Sequence, residues 1–130
     1  MEFFARAAVR ISVDELRQML TFEQLPVYCS ALETLLERGE DGARFYTLWG
    51  EFDVRRETIR DGVRFSLPHC PNALQWTLTA EGSGTQAGVV IHCTINRPEH
   101  DPDFVASLEA FVEAWREGLE RHHGRRALGD

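Results

Sequence analysis

"DPDFVASLEAFVEAWREGLE", residues 101–120, is the stretch on which the fold turns. Asp101 is a good N-cap, Pro102 suits the first helical position, and Asp103 complements the positive end of the helix. Phe104, Leu108, Phe111, Val112, Trp115 and Leu119 then fall on one apolar stripe. Glu109, Glu113, Arg116, Glu117 and Glu120 lie on or near the other side, which reads as a solvated face or as a dock for a basic partner. A stripe with that many large residues needs a cover. Gly118 costs about 1 kcal/mol relative to Ala inside a helix, so its presence predicts a close approach of backbone, taken here as sheet, to the helix.

The cover is written upstream. From Ala43 to Pro98 the pattern is β, and Asp61-Gly62 between "RETIR" and "VRFSL" is a two-residue hairpin signal. Val63, Phe65 and Leu67 share a face, as do Leu74, Trp76, Leu78 and Ala80. "EGSGT" is a turn, after which Val89, Ile91, Cys93 and Ile95 alternate on one face. "ARFYTLW" and "EFDVRRETIR" meet at Gly50, which reads as a tight turn or a bulge. The first segment also alternates, with Phe3, Ala5, Ala7, Val9 and Ile11 on one side and Arg6 and Arg10 on the other. Ser12, with Glu15 three residues on, makes a capping box for a short helix bearing Val13, Leu16, Met19 and Leu20. Pro26 marks a break or a new helix start, and Val27, Ala31, Leu32, Leu35 and Leu36 continue at helical spacing until Gly39 and Gly42.

The reading is therefore one α+β domain over residues 1–123 with a flexible tail over 124–130. A chain of 130 residues with 43 % apolar content can bury a core. The formal charge of −7 argues against nucleic acid and anionic membrane as partners. No run reaches the roughly 18 apolar residues that span a bilayer, and "MEFFARAAVRIS" lacks a basic n-region. With three cysteines, an odd number, the expectation is free thiols and a cytoplasmic location.

Three strings carry a family likeness. "ISVDELRQMLTFEQLPVY", "ALQWTLTAEGSGTQAGVVIH" and "FVEAWREGLERH", in this order of elements, resemble the helix-grip fold of the START/Bet v 1-like (SRPBCC) superfamily, nearest to the branch related to the activator of Hsp90 ATPase. The resemblance implies a curved antiparallel sheet wrapped around the C-terminal helix, two short helices after the first strand, and a cavity between sheet and helix. It implies no catalytic residue, because the superfamily shares no catalytic motif. Two departures stand out: Tyr28 occupies a position where the family often has Trp, and six strands are read where the fold usually has seven, the open point being Ala43 to Ile59.

His69-Cys70 and His92-Cys93 invite a thiol–imidazole or metal reading. Neighbours in a strand point to opposite faces, so His92 and Cys93 cannot act on one group. His69 and Cys70 sit between Pro68 and Pro71 in a strand connection, and neither pair, with Cys29, has zinc-ligand spacing. No metal, cofactor or catalytic residue is assigned. The aromatic constellation is more informative. Tyr28, Phe65, Trp76, Ile91, Cys93, Phe104, Leu108, Phe111 and Trp115 form either a filled core or the lining of an apolar pocket, with Arg97, His100 and Tyr28 as polar groups at its mouth. The leading expectation is non-enzymatic binding of a small apolar or amphipathic molecule there. A protein-interaction module of cochaperone or toxin–antitoxin type, with a homodimer face among its options, stands second. A hydrolase or cyclase using Cys70 or His100 stands third.

Overall fold

The computed structural model describes residues 1–124, so the tail expected over 124–130 falls, from residue 125, outside the described residues. Seven strands form one antiparallel sheet in the order β1-β7-β6-β5-β4-β3-β2. Their ranges are β1 Glu2–Ala7, β2 Leu32–Arg38, β3 Gly42–Thr47, β4 Gly50–Ile59, β5 Gly62–Ser66, β6 Gln75–Glu81 and β7 Gly88–Thr94. Two short helices, α1 (Val13–Met19) and α2 (Leu25–Tyr28), follow β1, and the long α3 (Pro102–Leu119) closes the fold. Leu108, Phe111, Val112, Trp115 and Leu119 of α3 are buried in the hollow of the curved sheet, which makes this a helix-grip architecture. Both caps form as the sequence dictates. The Asp101 carboxylate accepts from the Asp103 and Phe104 amides, and Ser12 and Glu15 complete a reciprocal capping box.

The count of six strands is corrected to seven, and the missing strand lies where a helix was expected. The helix ends at Tyr28, Cys29 is extended (φ −141, ψ 109), and Leu32–Arg38 pairs with β3. Two register shifts, between Leu32 and Thr34 and between Leu35 and Glu37, break the alternation of β2. Bulges put two residues opposite one, so the leucines of β2 mimic helical spacing. Between Ala43 and Ile59 there is a plain hairpin. Thr47 pairs with Gly50 across Leu48-Trp49, and Gly50 supplies φ 106.

Three smaller expectations also shift. The first strand stops at Ala7 rather than reaching Ile11, because the Val9 amide turns back to the Ala7 carbonyl and the Ala8 amide is held by Glu120 of the π-helical turn after α3. The β4–β5 turn is Arg60-Asp61, with Asp61 at φ 66, and Gly62 already pairs. Gly62 is needed for a different reason: a Cβ there would sit 1.8 Å from the Leu78 carbonyl oxygen. Gly118 does permit a close approach, but to α2 and not to the sheet. A Cβ at 118 would lie 1.9 Å from the Tyr28 carbonyl oxygen.

Candidate functional site

The hollow face is built by register. Phe65 on β5 lies opposite Trp76 on β6, Trp76 opposite Cys93 on β7, and Cys93 opposite Phe3 on β1. One row further along, Val63, Leu78, Ile91 and Ala5 are aligned. Alternation sends all eight to the face that receives α3. Phe65, Trp76, Ile91, Cys93, Leu108, Phe111 and Trp115 are fully buried there.

Their rings form a continuous series. Trp115 stacks near Phe65 (centroids 6.4 Å), Phe65 on Trp76 (5.5 Å), and Trp76 meets Phe111 edge-on (4.8 Å). From Phe111 the series continues to Trp49 (5.0 Å), to Phe104 (6.3 Å) and to His100 (4.3 Å from Phe104). Offset and edge-to-face contacts of this kind each contribute about 0.5–1.5 kcal/mol beyond area burial. The series runs from a sealed interior outwards, since Trp49, Phe104 and His100 are only half-buried. Phe104 therefore marks the rim of the site, not its floor.

Trp49 is the member that sequence reading missed. It sits in the β3–β4 turn, oriented by the Thr47 hydroxyl, which accepts from the Trp49 amide at 3.1 Å. Its indole N–H donates to the Ser107 hydroxyl of α3 at 2.8 Å, and that hydroxyl donates on to the Phe104 carbonyl. The turn is thereby tied to the helix at the rim. The signal was present as an aromatic in a turn beside Gly50, but nothing local says that the turn bends over α3.

The other two tryptophans differ. The Trp76 and Trp115 indole N–H groups are buried with no acceptor among the described residues. A buried donor left unpaired costs about 1–3 kcal/mol, and buried tryptophan N–H groups ordinarily find a partner. Two such donors flank Phe65 in one site.

The remaining candidates separate from this series. Tyr28 is buried at the opposite end of α3, where its backbone rests on Gly118 and its ring meets His122 edge-on at 6.2 Å. Burial pushes the Cys93 thiol up to about 12, and Cys29 likewise to about 12, so neither forms a thiolate near neutrality. His92 points to the outer face, stacked on Phe4 and 2.9 Å from the Glu2 carboxylate. His69 is exposed beside Asp53 at 3.4 Å, and Cys70 sits in the turn hydrogen-bonded between Leu67 and Ala73. His100 accepts the Asp101 amide on Nδ1, which leaves its Nε2 as the protonated nitrogen when neutral. Among the described residues no three His, Cys, Asp or Glu side chains converge as a metal-ligand group. No described helix is long and apolar enough to cross a membrane.

The arginines of β3, β4 and β5 divide between the two faces of the sheet. Arg64 pairs with Glu57 (3.1 Å), and the neighbouring Arg44 with Glu51 and Asp53 (3.2 Å each), on the outer face. Arg56 instead aligns with Phe65 on the inner face and donates to the Leu20 and Arg17 carbonyls at 2.8 Å. Arg17 returns the contact through the Ile59 and Gly62 carbonyls. Desolvation, then the nearby Arg17 and Arg38 charges, lower the Arg56 pKa. Its role is to fasten the C-terminal carbonyls of α1 to the sheet.

This geometry is shared with known structures. The chain has the START-like helix-grip fold. It is similar over its whole length to a Thermus thermophilus protein (17 % identity, all of both chains covered, TM-score 0.70). It is also similar to a START superfamily protein from Mycobacterium smegmatis (12 % identity, 97 % of each chain, TM-score 0.67). The solution structure of the Aha1 dimer from Colwellia psychrerythraea aligns with 16 % identity, covering 100 % of this chain and 98 % of that one, at TM-score 0.66. No protein-family model matches the sequence, and no curated protein matches it.

Proposed function

We propose that the chain binds a small amphipathic molecule between the sheet and α3. A polar group of the molecule accepts from the Trp76 or the Trp115 indole N–H, and its apolar body lies along Phe65, Ile91, Cys93, Leu108 and Phe111. The two buried, acceptor-less donors carry this reading. An interior evolved only to be filled gains by replacing such donors with hydrocarbon; donors kept in an apolar site are what an acceptor-bearing ligand uses for orientation. Phe104, Trp49 and His100 form the mouth, because the ring series reaches solvent there. Phe65, Trp76, Ile91, Cys93, Leu108, Phe111 and Trp115 are closed off from solvent, so binding requires α3 or the Leu48-Trp49 turn to give way. The Trp49–Ser107 hydrogen bond is the latch. In this reading the chain is not an enzyme and works in the cytoplasm.

Native mass spectrometry of protein purified without denaturant, together with tryptophan emission during titration with decanoate and with naphthol, tests the proposal. The expected result is a retained small molecule or a saturable emission change with one of the two probes. Bare protein mass together with unchanged emission for both probes would overturn it.

A further inference from the structure

The two edges of the sheet are built differently. β2, at one edge, is broken by two register shifts, a device that discourages pairing with another chain. β1, at the other, runs in unbroken register with β7 over all six residues from Glu2 to Ala7. Met1 and Ile95 exchange both backbone hydrogen bonds, and such pairs alternate along an antiparallel ladder. Phe3, Ala5 and Ala7 therefore spend their backbone groups on β7, while the N–H and C=O of Glu2, Phe4 and Arg6 point away from the sheet. No described strand pairs with them.

The side chains of those same three residues lie on the outer face, away from α3. Phe4 is the most exposed large apolar residue of the protein's described part, at 61 %, and stacks flat on His92 with centroids 4.2 Å apart. Glu2 and Arg6 flank it at equal spacing with opposite charge. Among the described residues their carboxylate and guanidinium make only exposed contacts, to His92 and to Glu81 and the Gln86 carbonyl.

We infer that β1 pairs with β1 of a second copy of this chain, antiparallel about a two-fold axis at Phe4. In that register Glu2 faces Arg6 of the second copy, Arg6 faces its Glu2, and the two Phe4 rings meet at the axis. The free backbone groups of Glu2, Phe4 and Arg6 are satisfied in the same step, and the two sheets become one. The pattern is self-complementary in the antiparallel sense only: a parallel pairing in register would set Glu2 against Glu2 and Arg6 against Arg6. A six-residue strand is a short interface, so the dimer is expected to be concentration-dependent.

Sedimentation velocity of the full chain over a hundredfold concentration range reads it directly. The apparent mass should rise from 14.8 kDa towards twice that value. Glu2→Arg and Arg6→Glu, each made singly, place like charges across the axis and should each remain monomeric. Mixed in equal amounts they should dimerise again, because one variant then carries a positive charge at both positions and the other a negative charge at both, so every facing pair is complementary. Phe4→Ser, which leaves the buried face untouched, should also remain monomeric, with an unchanged circular dichroism spectrum. A wild-type chain that stays monomeric throughout overturns the inference. So does a dimer that survives either charge reversal, or a mixture of the two variants that fails to associate.

Discussion

Replacing Gly118 by Ala sets two effects of opposite sign against each other. Helix propensity alone makes the change stabilising by about 1 kcal/mol. The structure reverses this: the added methyl carbon would sit 1.9 Å from the Tyr28 carbonyl oxygen, 2.6 Å from its carbon and 3.2 Å from Cα. Ordinary contact begins near 3.4 Å, so α2 and α3 must separate by more than 1 Å. All three obstructing atoms are backbone, and no rotamer change relieves them. Overpacking of this kind costs about 1–3 kcal/mol, and the upper end applies here. The net expectation is a loss of about 2 kcal/mol, or roughly 8 °C in Tm for a domain of this size. Urea unfolding followed by far-UV circular dichroism should show a lower midpoint with an unchanged slope. A variant as stable as the parent, or more so, would refute the seating of α2 on α3.

Three further outcomes follow from the same packing. Arg56→Met removes two charge-assisted hydrogen bonds to the α1 carbonyls and should cost about 2–3 kcal/mol in urea unfolding; a loss below about 0.5 kcal/mol would show that α1 is held otherwise. Trp115→Phe loses core volume at about 1 kcal/mol but also removes a buried unpaired donor costing about 1–3 kcal/mol. Its Tm should stay within a few degrees of the parent, and a drop typical of a truncated core tryptophan would mean that the N–H is satisfied. The Cys29 and Cys93 thiols are raised by burial from 9.0 to about 12, and a raised thiol favours the fold while protonated. That contribution is complete below pH 9 and is lost as pH rises towards 12. An aromatic disulfide reagent at pH 8 should accordingly titrate only Cys70, and the other two should react only on unfolding.

Much of the architecture was legible because each signal was local. Asp101, Pro102 and the α3 stripe fix the helix, and alternation around Trp76 and Ile91 fixes the inner face of the sheet. The inward-facing residues on those elements follow from periodicity alone. What failed was not local. β2 reads as helix because its two bulges destroy the period of two that marks a strand. Arg56 reads as a surface charge because nothing near it in sequence says that α1 presents bare carbonyls to β4. Tyr28 and Trp49 escape a local reading for a similar reason: the partner that places each one, Gly118 for Tyr28 and Ser107 for Trp49, lies far along the chain.

The indole N–H resonances of nitrogen-15-labelled protein give the most direct test of the binding role. Trp49 already donates to Ser107, whereas Trp76 and Trp115 have donors to spare. Titration with decanoate or naphthol should move the Trp76 or the Trp115 signal downfield, as that indole acquires an acceptor, by more than it moves that of Trp49. If both signals stay in place with both probes at their highest concentration, the interior is a closed core and the proposed function is wrong.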